Sequence, residues 1–265
     1  MKNKVYIVGH SLSPQGDELI TVLATFPRII LSEINTHRML SKNTSSSRAI
    51  PFEKMVEAVQ NDPFIPFAWQ KHHSGMQGSE YYNKELVKDL KLHNWHYESE
   101  TTVVEQLKVE WLQARDEAII QATYLNELGL TKQLCNRLLE PFMWTTMLIT
   151  GSKEGWENFF NLRCPVYKQW YYNDDGSQDF EIRKSKKEYI SKSGYPKSIF
   201  FIRPDKSRVS MLEATNLDWL QRNEGQAEIH IMDLAEKIYD AINESTPKQL
   251  QAGEWHIPMI EIIED

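Results

Sequence analysis

"INTHRMLSKNTSSSRAIP", residues 34–51, sets His37 beside Arg38, strings serines and threonines around Asn43, and returns a second arginine at Arg48. Ser41, Asn43, Thr44, Ser45, Ser46 and Ser47 offer hydroxyls and backbone N–H groups, and the two arginines offer guanidinium forks. Short donors with such forks are a usual means of gripping phosphate. The plainer reading is a helix cap and a turn with solvated arginines, because Ser and Asn favour turns for local reasons. Composition alone leaves both open.

Working outward, Pro27 can occupy the first turn of a helix, "PRIILSEINTHRML". Its Ile30, Leu31 and Ile34 fall on one side, and Glu33 and His37 share another. Before it, "KVYIVGHSL" alternates as a strand does, and "GDELITVLATF" is a short helix or a further buried element. After Pro51, "FEKMVEAVQ" reads as a short helix closed by "NDP", followed by an irregular aromatic loop, "FIPFAWQKHHSGMQGSEYY". A long helix follows, capped by Ser99 or Thr101, carrying Val104, Leu107, Trp111, Ala114, Ala118, Ile119 and Ala122 on one stripe, and stopped by Gly129. Thr131 can cap "KQLCNRLL", which Pro141 should end near Glu140, and Ser152 can cap "KEGWENFFNLR". Residues 166–224 form a mixed excursion before "QAEIHIMDLAEKIYDAINES", a helix with Ile231, Leu234, Ala235, Ile238 and Ile242 on its apolar face. "GEWHIPMIEII" reads as a closing strand.

The 265 residues, 41% of them hydrophobic, suffice for a sizeable core. The longest apolar run, "FPRIILSEI", is broken by charge and falls short of the roughly 20 residues a membrane-spanning helix needs. The apolar stretch near the N-terminus is too short for a signal peptide, so a cytoplasmic protein is expected. Cys135 and Cys164 fit neither a disulfide framework nor a zinc spacing and read as packed thiols. No metal site is expected: His72 and His73 lack a third ligand nearby, and His93 and His96 with Glu100 read as packing groups on a helix.

A net charge of −7 argues against a protein that coats nucleic acid. Residues 182–208 dissent, with nine basic and two acidic side chains, which leaves −14 on the rest. A solvated or subunit-facing insertion, a single-strand binder and a funnel for anionic substrates all fit that block.

"THRMLSKNTSSSR" resembles the signature of the flavin-dependent thymidylate synthases, the ThyX family. That pattern runs Arg-His-Arg, two residues, Ser, one residue, Asn-Glu, one residue, Ser, one residue, Arg. His37, Arg38, Ser41, Asn43, Ser46 and Arg48 fall in register. Arg137 with Pro141, then "NFFNLR" ending at Arg163, is similar to a second family block. "GQAEIHIMDLAEKIYDAI", with Gln226, Glu228 and Ile229, is similar to a third, and the terminal "STPKQLQAGEWHIP" resembles bacterial and phage relatives. The resemblance, in these three ordered blocks, covers about two-thirds of the chain.

The resemblance implies one α/β (α+β) domain, with a mainly antiparallel sheet flanked by long helices and the basic excursion at about 166–224 inserted in it. It also implies a homotetramer whose active sites draw on several subunits, in a bacterial cytoplasm or from a phage genome. The implied reaction moves a one-carbon unit from 5,10-methylenetetrahydrofolate to C5 of dUMP through FAD, with NADPH as reductant, to give dTMP. Arg163 is then the catalytic residue, touching the base and helping to ionise N3. Ser45, Ser46, Ser47, Arg48 and Arg137 hold dUMP, largely by its phosphate, and Glu33 stands where the family often has a substrate-contacting Gln. His37, Arg38, Asn43 and Asn158 match flavin contacts.

Four positions depart from the pattern. Thr36 replaces the first Arg and Thr44 the Glu, at places matching both substrate and flavin contacts. "TGSKEGW" offers Lys153 where many members have Asn-Ala-Arg, and Glu224 replaces a His. A pyrimidine nucleotide hydroxymethylase acting on dUMP or dCMP, and a relative that binds nucleotide or nucleic acid without catalysis, are the alternatives.

Overall fold

The computed structural model describes residues 2–74, 78, 80–89, 100–194, 198–203 and 205–258. The chain divides into two compact units: Pro27–Leu31 with Ser45–Thr145 in one, and Lys2–Phe26, Ser32–Thr44 and the chain from Thr146 onward in the other.

The second unit is built on a five-stranded sheet. β1 (Lys4–Leu12) and β2 (Glu18–Pro27) form an antiparallel hairpin, with a register shift between Ile7 and Gly9. "GDELITVLATF" is therefore a strand. Its alternating Ile20, Val22, Ala24 and Phe26 are all buried, as the inner face of a central strand must be. α1 (Leu31–Asn35) leads to β3 (Ser41–Thr44), which pairs antiparallel with β4 (Trp144–Ser152). β4 lies between β3 and β2, where hydroxyl bonds link Thr21 with Thr150 and Thr25 with Thr146, so it runs opposite to β2. The short β9 (Lys248–Gln249) joins β1 in parallel. The closing strand expected from Gly253 is not formed over Gly253–Pro258; its remainder lies outside the described residues. There His256 bridges Ser11 and Thr21, and its ring packs where a Cβ on Gly9 would stand, so side-chain bonds replace a strand ladder.

The helix expected over residues 27–40 is much shorter. Pro27 ends β2, a 3-10 turn covers Arg28–Ile30, and α1 stops at Asn35. Side chains end it: the Thr36 hydroxyl donates to the Glu33 carbonyl, and Lys42 Nζ donates to the carbonyls of Ile34, Asn35 and His37. The orphan carbonyls of a helix end are thus satisfied without another turn.

α5 (Lys153–Arg163) is capped by Ser152 as expected, and α8 (Ile229–Glu244) by Glu228, whose carboxylate accepts from the N–H groups of His230 and Ile231. Residues 166–224 enter and leave side by side: Glu224 N–H donates to the Val166 carbonyl and Val166 N–H to Asn223 Oδ1. This excursion holds the hairpins β5–β6 (Tyr167–Tyr172, Gln178–Arg183) and β7–β8 (Phe200–Ile202, Arg208–Ser210), with α6 (Lys186–Lys192) and α7 (Asn216–Leu220). It carries its own core, in which Trp219 meets Tyr167, Tyr189 and Phe201 edge-on.

In the first unit, α2 (Phe52–Asn61) and α3 (Val103–Glu127) pack with α4 (Lys132–Cys135) and the 3-10 segment Asn136–Phe142. Thr102 caps α3, not Ser99 or Thr101. Only from Thr102 does a carboxylate, that of Glu105, stand three residues on to complete the reciprocal box. Pro141 does not end its segment near Glu140; the helix has already tightened to 3-10 geometry and continues to Phe142. His93, His96 and Ser99 lie outside the described residues.

Candidate functional site

The second unit gathers residues from all three sequence blocks. α5 ends on Arg163, which reaches back to the end of α1. Its Nε–H donates to His37 Nε2 at 2.9 Å, Nη1 donates to Glu33 Oε2 at 3.4 Å, and Nη2 donates to Thr36 Oγ1 at 3.4 Å. Arg163 always carries its proton, so His37 Nε2 must be the bare, accepting nitrogen. Burial, reinforced by the charges of Arg163 and Lys42, lowers the His37 pKa to about 4. The ring is 5% exposed and meets Phe159 of α5 edge-on at 4.9 Å. It is a neutral imidazole at pH 7.

Glu33 is held differently. Burial and the nearby Glu228 carboxylate push its pKa up, against the pull of Arg163 and His230. Glu228 is itself committed to the start of α8 and to the His230 ring. Lys42, at the base of the cluster, has its pKa lowered by burial. An arginine, a neutral histidine, a hydroxyl and a carboxyl thus share one fixed arrangement. It can stabilise negative charge on a flat ligand while reading that ligand's polar edge.

Arg38, Asn43 and Asn158 are exposed on this unit, Asn43 on the outward side of β3 and Asn158 on the outward face of α5. Thr44 is half-buried at the end of β3, opposite Met147.

The first unit holds the serine run, organised around a residue the sequence reading missed. Arg28 Nε lies 3.2 Å from Glu140 Oε1, while its terminal nitrogens donate to the Ser45 carbonyl, Thr145 Oγ1 and Ser47 Oγ at 3.3–3.4 Å. Ser47 is buried. Its hydroxyl donates to Glu140 at 2.6 Å, and its carbonyl accepts from Asn136 Nδ2 at 2.7 Å. Ser46 closes a turn onto Ala49 N–H. Arg48 and Arg137 are exposed and make no ion pair among the described residues. Of the residues matched to phosphate, Ser47 thus serves the loop's own frame, and the two arginines stay open to solvent.

Lys42, Arg28 and Glu140 were legible only as ordinary polar residues, since nothing in their spacing marks what they hold. Cys135 and Cys164 are free and buried, and burial raises the Cys164 thiol well above its ordinary value. Four of the nine cations in the basic block are paired: Arg183 with Glu181, Lys186 with Glu236, Lys187 with Glu244 and Arg203 with Asp218. Among the described residues no His, Cys, Asp and Glu cluster could hold a metal, and no helix is long and apolar enough to cross a membrane.

Neither a protein-family profile nor a curated protein matches the chain. Among solved structures it is similar to a crystal structure of a UMP/dUMP methylase PolB from Streptomyces cacaoi bound with 5-Br UMP. The two share 14% identity over 92% of this chain and 89% of that one, with a TM-score of 0.48.

Proposed function

We propose that the chain is a flavin-dependent one-carbon transferase acting at C5 of a pyrimidine 5′-nucleotide, in a reaction of the thymidylate-synthase type. The observation that carries this reading is the hydrogen bond from Arg163 to His37. It joins two sequence blocks 126 residues apart, with Glu33 and its neighbour Glu228 of the third block alongside.

For C5 to act as a nucleophile, negative charge must build in the pyrimidine ring. A cation fixed in advance in a partly dry site favours that charge more than a solvated one does. Arg163 meets the requirement, because its side chain is 21% exposed and three of its five N–H groups are already tied down. His37 stays neutral and so adds no charge of its own. The resemblance matches Arg48 and Arg137 to phosphate contacts, in a homotetramer whose active sites would draw on several subunits.

The residues matched to flavin fit it in part. Arg38, Asn43 and Asn158 present exposed polar groups suited to phosphate and ring edges. His37 is buried with Nε2 committed to Arg163, so it supports the arginine rather than touching a cofactor. Bound FAD would supply the relay of the one-carbon unit and the electrons, with 5,10-methylenetetrahydrofolate and NADPH as co-substrates.

Purified protein incubated with FAD, methylenetetrahydrofolate and dUMP or dCMP, with and without NADPH, tests the reading by nucleotide mass. A gain of one carbon that disappears in Arg163→Ala is expected. Protein that takes up no flavin and leaves both nucleotides unchanged would refute it.

A further inference from the structure

We infer that the base this site selects is cytosine, read by Arg163 and Glu33 together as a row of two donors and one acceptor. The inference rests on the pyrimidine-nucleotide reading above and names its substrate class.

Three of the five N–H groups of Arg163 go to His37, Glu33 and Thr36. Both terminal nitrogens keep one N–H beyond those bonds. Beside them stands the Glu33 carboxylate, 3.4 Å from Nη1 and half-buried, with lone pairs in excess of the one Arg163 uses. Glu228 cannot serve in its place, because its oxygens are taken by the N–H groups opening α8 and by His230. The cluster therefore offers donor, donor, acceptor.

The polar edge of cytosine is O2 and N3, both acceptors, followed by the N4 amino donor. It meets that row at every position. Uracil presents O2, then N3–H, then O4. Against the same row its N3–H faces an arginine N–H and its O4 faces a carboxylate. Two contacts between like groups replace two hydrogen bonds, and sites with fixed polar partners reject such mismatches strongly. A glutamine at position 33 would offer an N–H to O4 as well as a carbonyl acceptor. The carboxylate thus discriminates at the third position, as Arg163 does at the second, and Glu33 is a specificity residue rather than a catalytic one.

Calorimetric titration of the full-length protein with CMP, dCMP, UMP and dUMP, at pH 8 and fixed salt, tests this. The cytosine nucleotides should bind about 10- to 100-fold more tightly than their uracil counterparts. Glu33→Gln, and Glu33→Ala as the second variant should the first not fold, should each cut that ratio several-fold, leaving only the part that Arg163 contributes at N3. Thermal melts followed by circular dichroism check that each variant is folded. A uracil preference in the unmodified protein, or a ratio untouched by either substitution, overturns the cytosine assignment while leaving nucleotide binding intact. Failure of all four nucleotides to bind removes the pyrimidine-nucleotide reading itself, and with it this inference.

Discussion

His37 accepts a hydrogen bond from Arg163 at 2.9 Å, and it can do so only while its Nε2 is unprotonated. The imidazole is therefore a support whose value depends on being uncharged. His37→Ala should weaken nucleotide binding about 10-fold or more, on the scale of a hydrogen bond to a charged group. His37→Gln, whose side-chain oxygen can accept from the same N–H, should recover part of the loss. Titration calorimetry on both variants checks the expectation.

The same ring predicts a pH dependence of stability. His37 titrates near 4 in the folded protein against an ordinary value of 6.5, so between those values the unfolded chain binds the extra proton. Stability from this group is fully present above about pH 6.5 and declines as pH falls towards 4. His37→Gln should flatten the melting temperature over that window relative to the unmodified protein.

Glu33 titrates in the opposite sense. Burial and Glu228 raise its pKa, so it takes up a proton at higher pH than an ordinary carboxyl, with Arg163 and His230 the groups that oppose this. Once protonated it can donate to O4 of uracil. The ratio of dCMP to dUMP affinity should therefore shrink as pH falls from 8 towards 5, and paired titrations at several pH values measure this.

In the first unit, Glu140 holds both Arg28 and the Ser47 hydroxyl. Ser47→Ala removes the short bond to Glu140 and the longer one from Arg28 and should cost about 1–2 kcal/mol. Glu140→Ala leaves a largely buried arginine without its carboxylate and should cost about 3 kcal/mol. Urea unfolding of the two single variants and the double variant separates these contributions. A double variant no less stable than Glu140→Ala alone would show that the two groups act through the same carboxylate.

Most helices were legible, because their ends carry chemistry that acts locally. Ser152, Thr131 and Gly129 sit where a cap, a second cap and a stop were expected, with Gly129 at φ +87°. β2 was ambiguous because its second face also carries apolar residues, Leu19 and Leu23, so the sequence shows no clean alternation to distinguish it from a buried helix segment. The end of α1 was misread because Lys42, seven residues beyond Asn35, supplies the bonds that stop it. The site divides in the same way. Motif register singled out Arg163, His37 and Glu33 as candidates, whereas Arg28, Glu140 and Lys42 act through contacts across the fold that spacing does not encode.

The excursion has a consequence for how such a chain can change. Its two ends are stapled at Val166, Asn223 and Glu224, and its interior closes on Trp219 without borrowing from the five-stranded sheet. A segment built that way can lengthen or acquire new surface chemistry at its hairpin ends, while Lys186 on Glu236 and Lys187 on Glu244 keep it moored to α8. Change is then best tolerated at the two hairpin turns, which lie apart in sequence from both the neck and the mooring.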